Sequence, residues 1–127
     1  MRHTFAKNER LCSQILIDAL MQRGNPSFLT FPIIFAWREA PLPPKLHSQV
    51  LISVAKKRYK RAVDRNHVKR LMREAYRLNK HVLYDGMKEK QLLLHINYIA
   101  PEILSFQAIN DAMVKSINKL IKEINKS

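Results

Sequence analysis

The sequence is short of most of the groups that catalysis or covalent cross-linking needs. Cys12 is the only cysteine, so neither an intrachain disulfide nor a thiolate metal cluster can form. That usage fits a reducing compartment, and the cytoplasm is the expected location. Only two glycines are present, Gly24 and Gly86, which excludes a glycine-rich phosphate loop. The ten acids (Glu9, Asp18, Glu39, Asp64, Glu74, Asp85, Glu89, Glu102, Asp111 and Glu123) are scattered. None are paired as a two-metal nuclease site requires. His3, His47, His67, His81 and His95 lack the i, i+4 spacing of a helical metal motif. Ser and Cys nucleophile motifs are absent. There is no apolar run long enough to span a bilayer, so no membrane partner is expected. The opening residues MRHTFAKNER are too polar for a signal peptide. The expectation is a binding protein with no catalytic residue, metal ligand or cofactor of its own.

Positive charge is what the chain has in excess. Twenty-three Lys and Arg face ten acids, giving a net charge of +13 and a pI near 10.2. Such a balance implies a polyanionic partner: RNA, DNA or an anionic membrane surface. At 127 residues with 46% hydrophobic content, residues 1–127 read as one domain with a modest core.

The charge concentrates between Lys56 and Lys80, which hold eleven Lys or Arg against Asp64 and Glu74. At about 100° per residue, Val68, Leu71, Met72, Ala75 and Leu78 share one side of a helix. Arg65, Asn66, Lys69, Arg70, Arg73, Arg77 and Lys80 share the other. Like charges one turn apart repel by a few tenths of a kcal/mol per pair, and only Glu74 offers relief. A helix built for stability alone would interleave acids. The near-uniform sign points instead to a nucleic-acid contact. His67, among cations, reads as an RNA contact rather than a general base.

The stretch SVAKKRYKRAVDRNHVKRLMREAYR, residues 53–77, resembles the signature of the bacterial ribonuclease P protein family. The matching positions are Ser53, Val54, Lys56, Lys57, Ala62, Val63, Arg65, Asn66, Lys69, Arg70, Arg73 and Glu74. The resemblance implies a protein subunit of ribonuclease P that binds the catalytic RNA and the 5′ leader of precursor tRNA. It implies that the RNA performs the cleavage with magnesium ions, the protein binding none itself, in a 1:1 complex with a monomeric protein. RNA-binding positions are then Lys56, Lys57, Arg61, Arg65, Asn66, His67, Lys69, Arg70, Arg73 and Arg77. The family's leader groove maps to Ile17, Met21 and Phe35, with Tyr59 as a further stacking candidate. This sequence departs from the pattern in having His67 for an Arg. Ile17 and Met21 stand where the groove tends to carry first-helix aromatics. The alternative is a ribosomal or other structural RNA-binding protein without a nuclease role.

The remaining elements follow from periodicity and punctuation. Residues 8–23 read as a helix capped by Asn8 and stopped by Gly24. Strands are expected near 27–31, 33–38, 49–55 and 91–99. The basic helix should start near 60–62 and end near Lys80, before an Asp85-Gly86 turn. Ser105 caps a last helix that shows Lys115, Lys119, Lys122 and Lys126 to solvent. The order αβββαβα gives a two-layer α+β sandwich with a four-stranded mixed sheet. The resemblance implies a ribosomal-protein-like fold with a left-handed βαβ crossover, where the general rule would give a right-handed one.

Overall fold

The computed structural model describes residues 14–21, 24–42, 47–54, 57 and 59–126, with the first-helix side chains from residue 17 to 20. The expected cap at Asn8, the contact at Lys56 and the side chain of Met21 lie outside the described residues. Seven elements follow in order: α1 (Gln14–Met21), β1 (Ser27–Thr30), β2 (Ile33–Glu39), β3 (Ser48–Val54), α2 (Ala62–Met87), β4 (Leu92–Tyr98) and α3 (Phe106–Ile124).

The strands form one mixed sheet in the order β1-β2-β4-β3. β1 and β2 make a hairpin joined by Phe31 and Pro32, with Leu29 opposite Ile34. Pro32, which cannot donate to a ladder, thus sits in the turn rather than in a strand. β4 is antiparallel to β2 and parallel to β3. The parallel pair needs a long crossover, and α2 supplies it.

Period-two alternation sends Ile33, Phe35 and Trp37, Val50, Ile52 and Val54, and Leu92, Leu94, Ile96 and Tyr98 to one face. There they meet Val68, Met72, Tyr76 and Leu83 of α2 and Ile109, Met113, Ile117 and Leu120 of α3. α1 lies on the other face. Leu20 packs on Leu93, with Ile17, Ala40, Leu42 and Leu51 around them. α1 therefore covers part of a second sheet face, beyond the main two-layer sandwich. Asn25 donates to the carbonyls of Ala19 and Leu20 at 2.9 and 2.7 Å, closing the helix where Gly24 turns at φ +96°.

α2 is longer than its sequence suggests. It continues through Asp85-Gly86 to Met87, so those two residues are helical and not a turn. The glycine serves packing: a Cβ on Gly86 would stand 2.8 Å from three carbons of the Ile121 side chain. Gly86 thus lets α2 and α3 approach closely. Lys80 is the other departure. It belongs to the buried face, with its ammonium 5.8 Å from the Tyr84 ring centroid. Its alkyl stem fills apolar space that a shorter polar residue would leave empty. α3 begins as expected, with the Ser105 hydroxyl accepting from Ala108 N–H at the N-cap.

Candidate nucleic-acid interface

The basic surface begins where β3 hands over to α2. Tyr59 anchors this segment: it is buried, its hydroxyl donates to the Ala100 carbonyl at 2.7 Å, and its ring lies against Tyr98. Arg61 caps α2 with extended backbone and no side-chain bond to the first turn. Arg65 does the fastening instead, donating to the carbonyls of Tyr59 at 2.7 Å and Lys60 at 2.9 Å. Two fixed points therefore hold the chain on either side of exposed Lys60 and Arg61.

Beyond that junction Asn66, His67 and Arg70 are exposed, and Lys69, Arg73 and Arg77 are half-buried. Lys57 and Arg61 are exposed at the start of the same surface. On a helix of about 100° per residue, Asn66, Arg70, Arg73 and Arg77 share one flank. Asn79, which bonds Asn110 of α3, and Gly86 lie roughly opposite. The cations thus face away from α3. Arg77 is partly engaged by an ion pair with Glu74. That hydrogen bond lowers the Glu74 carboxyl below its ordinary value and raises the Arg77 guanidinium above its own.

Two of the expected groove aromatics do not line any surface. Phe35 is fully buried between the sheet and the helix pair, its ring stacked on Phe28 with centroids 5.8 Å apart. Its strand parity, shared with Ile33 and Trp37, sends it inward. Tyr59 is likewise committed to the core, through Ala100 and Tyr98. Neither can stack on a nucleotide. Ile17 is half-buried against the Leu20–Leu93 cluster.

The opposite sheet face carries what the sequence reading missed. Beyond α1, Ile34 and Ala36 are half-buried and Leu29 is exposed. Among them the Ser53 hydroxyl lies 2.7 Å from His95 Nε2 and donates to Asn97 Oδ1 at 2.9 Å. The pairing brings these together, since Leu29 opposes Ile34, Ile34 opposes Asn97, and Asn97 opposes Ser53. Burial holds the His95 imidazole below its ordinary pKa. Only their face was readable in the sequence, since Ser53, His95 and Asn97 share the parity of Leu51 and Leu93; their adjacency comes from the β3–β4 pairing. Among the described residues no group of His, Cys, Asp or Glu is placed to hold a metal ion. No described helix is long and apolar enough to cross a membrane.

Comparison with known proteins bears on this surface. The family model Ribonuclease P matches residues 5–125. The ribonuclease P protein component of Porphyromonas gingivalis is 38% identical over 124 residues, covering 96% of this chain and 90% of that protein. The component from Chlorobaculum tepidum is 40% identical over 96 residues, covering 67% and 62%. The fold is similar to the Staphylococcus aureus RNase P protein, at TM-score 0.67 and 18% identity over 92% of this chain and 98% of that one. It is also similar to the Thermotoga maritima protein, at TM-score 0.65 and 21% identity over 93% and 99%.

Proposed function

The chain belongs to the ribonuclease P protein family, and from that premise we propose how it acts in tRNA 5′-end maturation. It is the protein subunit of the endoribonuclease and has an RNA partner. The partner is ribonuclease P RNA, bound 1:1, and the holoenzyme removes the 5′ leader of precursor tRNA in the cytoplasm. The RNA performs the cleavage with magnesium ions. The protein neutralises phosphates and holds two polyanions together.

One observation carries this reading: Lys57 and Arg61 on the lead-in to α2, and Lys69, Arg70, Arg73 and Arg77 on the helix, form one basic surface, exposed or half-buried, on the side away from α3. Lys57, Arg61, Lys69, Arg70, Arg73 and Arg77 neutralise phosphates of the catalytic RNA, releasing condensed counterions. Arg adds bidentate bonds to phosphate oxygens. Asn66 contributes hydrogen bonds on the same flank, and exposed His67 does so beside it. Arg65 acts mainly by fixing the junction that presents them. The leader runs over the open sheet face beside Ile17. Leu29 and Ile34 supply apolar contact there, and Ser53, His95 and Asn97 supply polar contact.

Titration of a bacterial ribonuclease P RNA at several salt concentrations tests the RNA surface. The logarithm of affinity should fall linearly with the logarithm of salt, with a slope of several units. Arg70→Ala with Arg73→Ala should make that slope shallower by about 2. A salt-independent affinity, or a slope unmoved by the double variant, would overturn the reading.

A further inference from the structure

α3 carries a second, separate row of cations. Lys115, Lys119, Lys122 and Lys126 are all exposed. At about 100° per residue Lys115, Lys119 and Lys122 fall within an arc of roughly 60°, forming one line along the helix, and Lys126 follows just past its C-cap, Asn125. On the helix that line extends about 10 Å at 1.5 Å per residue. Asn110 and Ile121, which meet Asn79 and Gly86 of α2, lie on roughly the opposite side of α3. The row therefore faces away from α2, just as the basic flank of α2 faces away from α3. It runs on the β1 side of the molecule, where the Lys119 ammonium sits 4.8 Å from the Phe28 ring centroid. α2 packs on β3, at the other edge of the sheet.

Charge balance separates this row from an ordinary solvated face. Lys115–Lys119 and Lys119–Lys122 are like-charge neighbours one turn apart on α3 and repel one another. Glu123 pairs with Lys126 at 3.3 Å and stands one turn after Lys119. Asp111, one turn before Lys115, accepts a hydrogen bond from Gln107. The chemistry is that of lysine alone: compact point charges with no planar fork, suited to phosphate contacts that ignore sequence. Among the described residues the ring beside the row is Phe28, half-buried beneath Lys119 and stacked on Phe35, so it offers no face to a base.

We propose that the α3 lysine row is a second RNA-binding surface, holding the phosphate backbone of a segment of the catalytic RNA distinct from the segment on α2. The protein then bridges two parts of one RNA from its two flanks. This rests on the reading of ribonuclease P RNA as the partner.

Hydroxyl-radical footprinting and salt titration on that RNA, without precursor tRNA, test the bridge. Lys115→Gln with Lys122→Gln leaves Lys119 on its ring and keeps the fold; the triple variant adds Lys119→Gln. The double variant should make the log–log salt slope shallower by about 2 and lower affinity on the order of tenfold near physiological salt, the triple more. It should lose protection over a segment that stays protected with Arg70→Gln/Arg73→Gln, and the α2 variant should show the converse. An unchanged slope and footprint in the lysine variants, with the α2 variant weakened, overturns the bridge alone. Loss of the same segment in both also overturns it. No effect from either set would bring down the assignment of the RNA partner itself.

Discussion

Phe35→Ala separates a core aromatic from a nucleotide platform. Phe35 is fully buried, with Ile33 and Trp37 beside it on the strand and Phe28 stacked on its ring. Truncating a phenylalanine in such a site costs about 3–5 kcal/mol, from lost transfer energy and the cavity left behind. Loss of the Phe28 stack belongs to the upper part of that range, since such pairs contribute about 0.5–1.5 kcal/mol beyond area. Against a total stability of about 5–15 kcal/mol, that is a large fraction. In a chain of this size the melting temperature should fall by about 10 °C or more. Thermal and urea melts measure the loss. Binding of precursor tRNA with a leader and of mature tRNA to the reconstituted holoenzyme, at a temperature where the variant is folded, provides the second arm. Both ligands should respond alike. A variant that melts like the wild type yet loses only the leader-bearing ligand would refute the placement of Phe35 in the core.

Gly86→Ala gains about 1 kcal/mol of helix propensity but presses on Ile121, for a cost of about 1–3 kcal/mol. Urea melts should show a net loss, turning to a gain in an Ile121→Ala background; a gain in both backgrounds would contradict the close approach. Arg65→Gln removes two bonds to backbone carbonyls and should destabilise by about 1 kcal/mol. Arg70→Gln should leave the melt unchanged and weaken only RNA binding, so identical melts for the two would contradict the fastening role. His95 favours its neutral form when folded, so the unfolded chain binds more protons below the ordinary imidazole pKa. Its contribution is complete above about pH 6.5 and is lost as pH falls through the depressed folded value. Chemical melts between pH 5 and 7 should show a shallower pH slope for His95→Gln than for the wild type.

Most of the architecture was legible because the patterns are strong. Alternation in Ile33–Glu39 and Ser48–Val54, and three-four spacing in α3, leave little freedom about which side is buried. The basic flank was legible for the same reason, since Asn66, Arg70, Arg73 and Arg77 cannot share a face with Val68 and Met72. What was misread depended on contacts distant in sequence. Asp85-Gly86 has the chemistry of a turn, but Ile121 needs a residue without a side chain at that point in a helix. Lys80 was placed with the cations by its angle, about 20° from Arg73 at 100° per residue, but it stands at the border of the two faces and its long side chain turns inward beside Tyr84. Phe35 was assigned by resemblance to a groove, against its own parity with Ile33 and Trp37; the parity prevailed. The Ser53–His95–Asn97 group required knowledge that β3 and β4 are neighbours, which no local pattern supplies.

Reconstitution with a bacterial ribonuclease P RNA bears most directly on function. The assay is single-turnover 5′ cleavage of precursor tRNA at low magnesium, with and without the protein. Added protein should restore cleavage at the leader junction, and the Arg70→Ala/Arg73→Ala variant should require a higher protein concentration for the same rate. RNA that cleaves no faster with protein than without, across the salt range in which the protein binds it, would contradict the assignment.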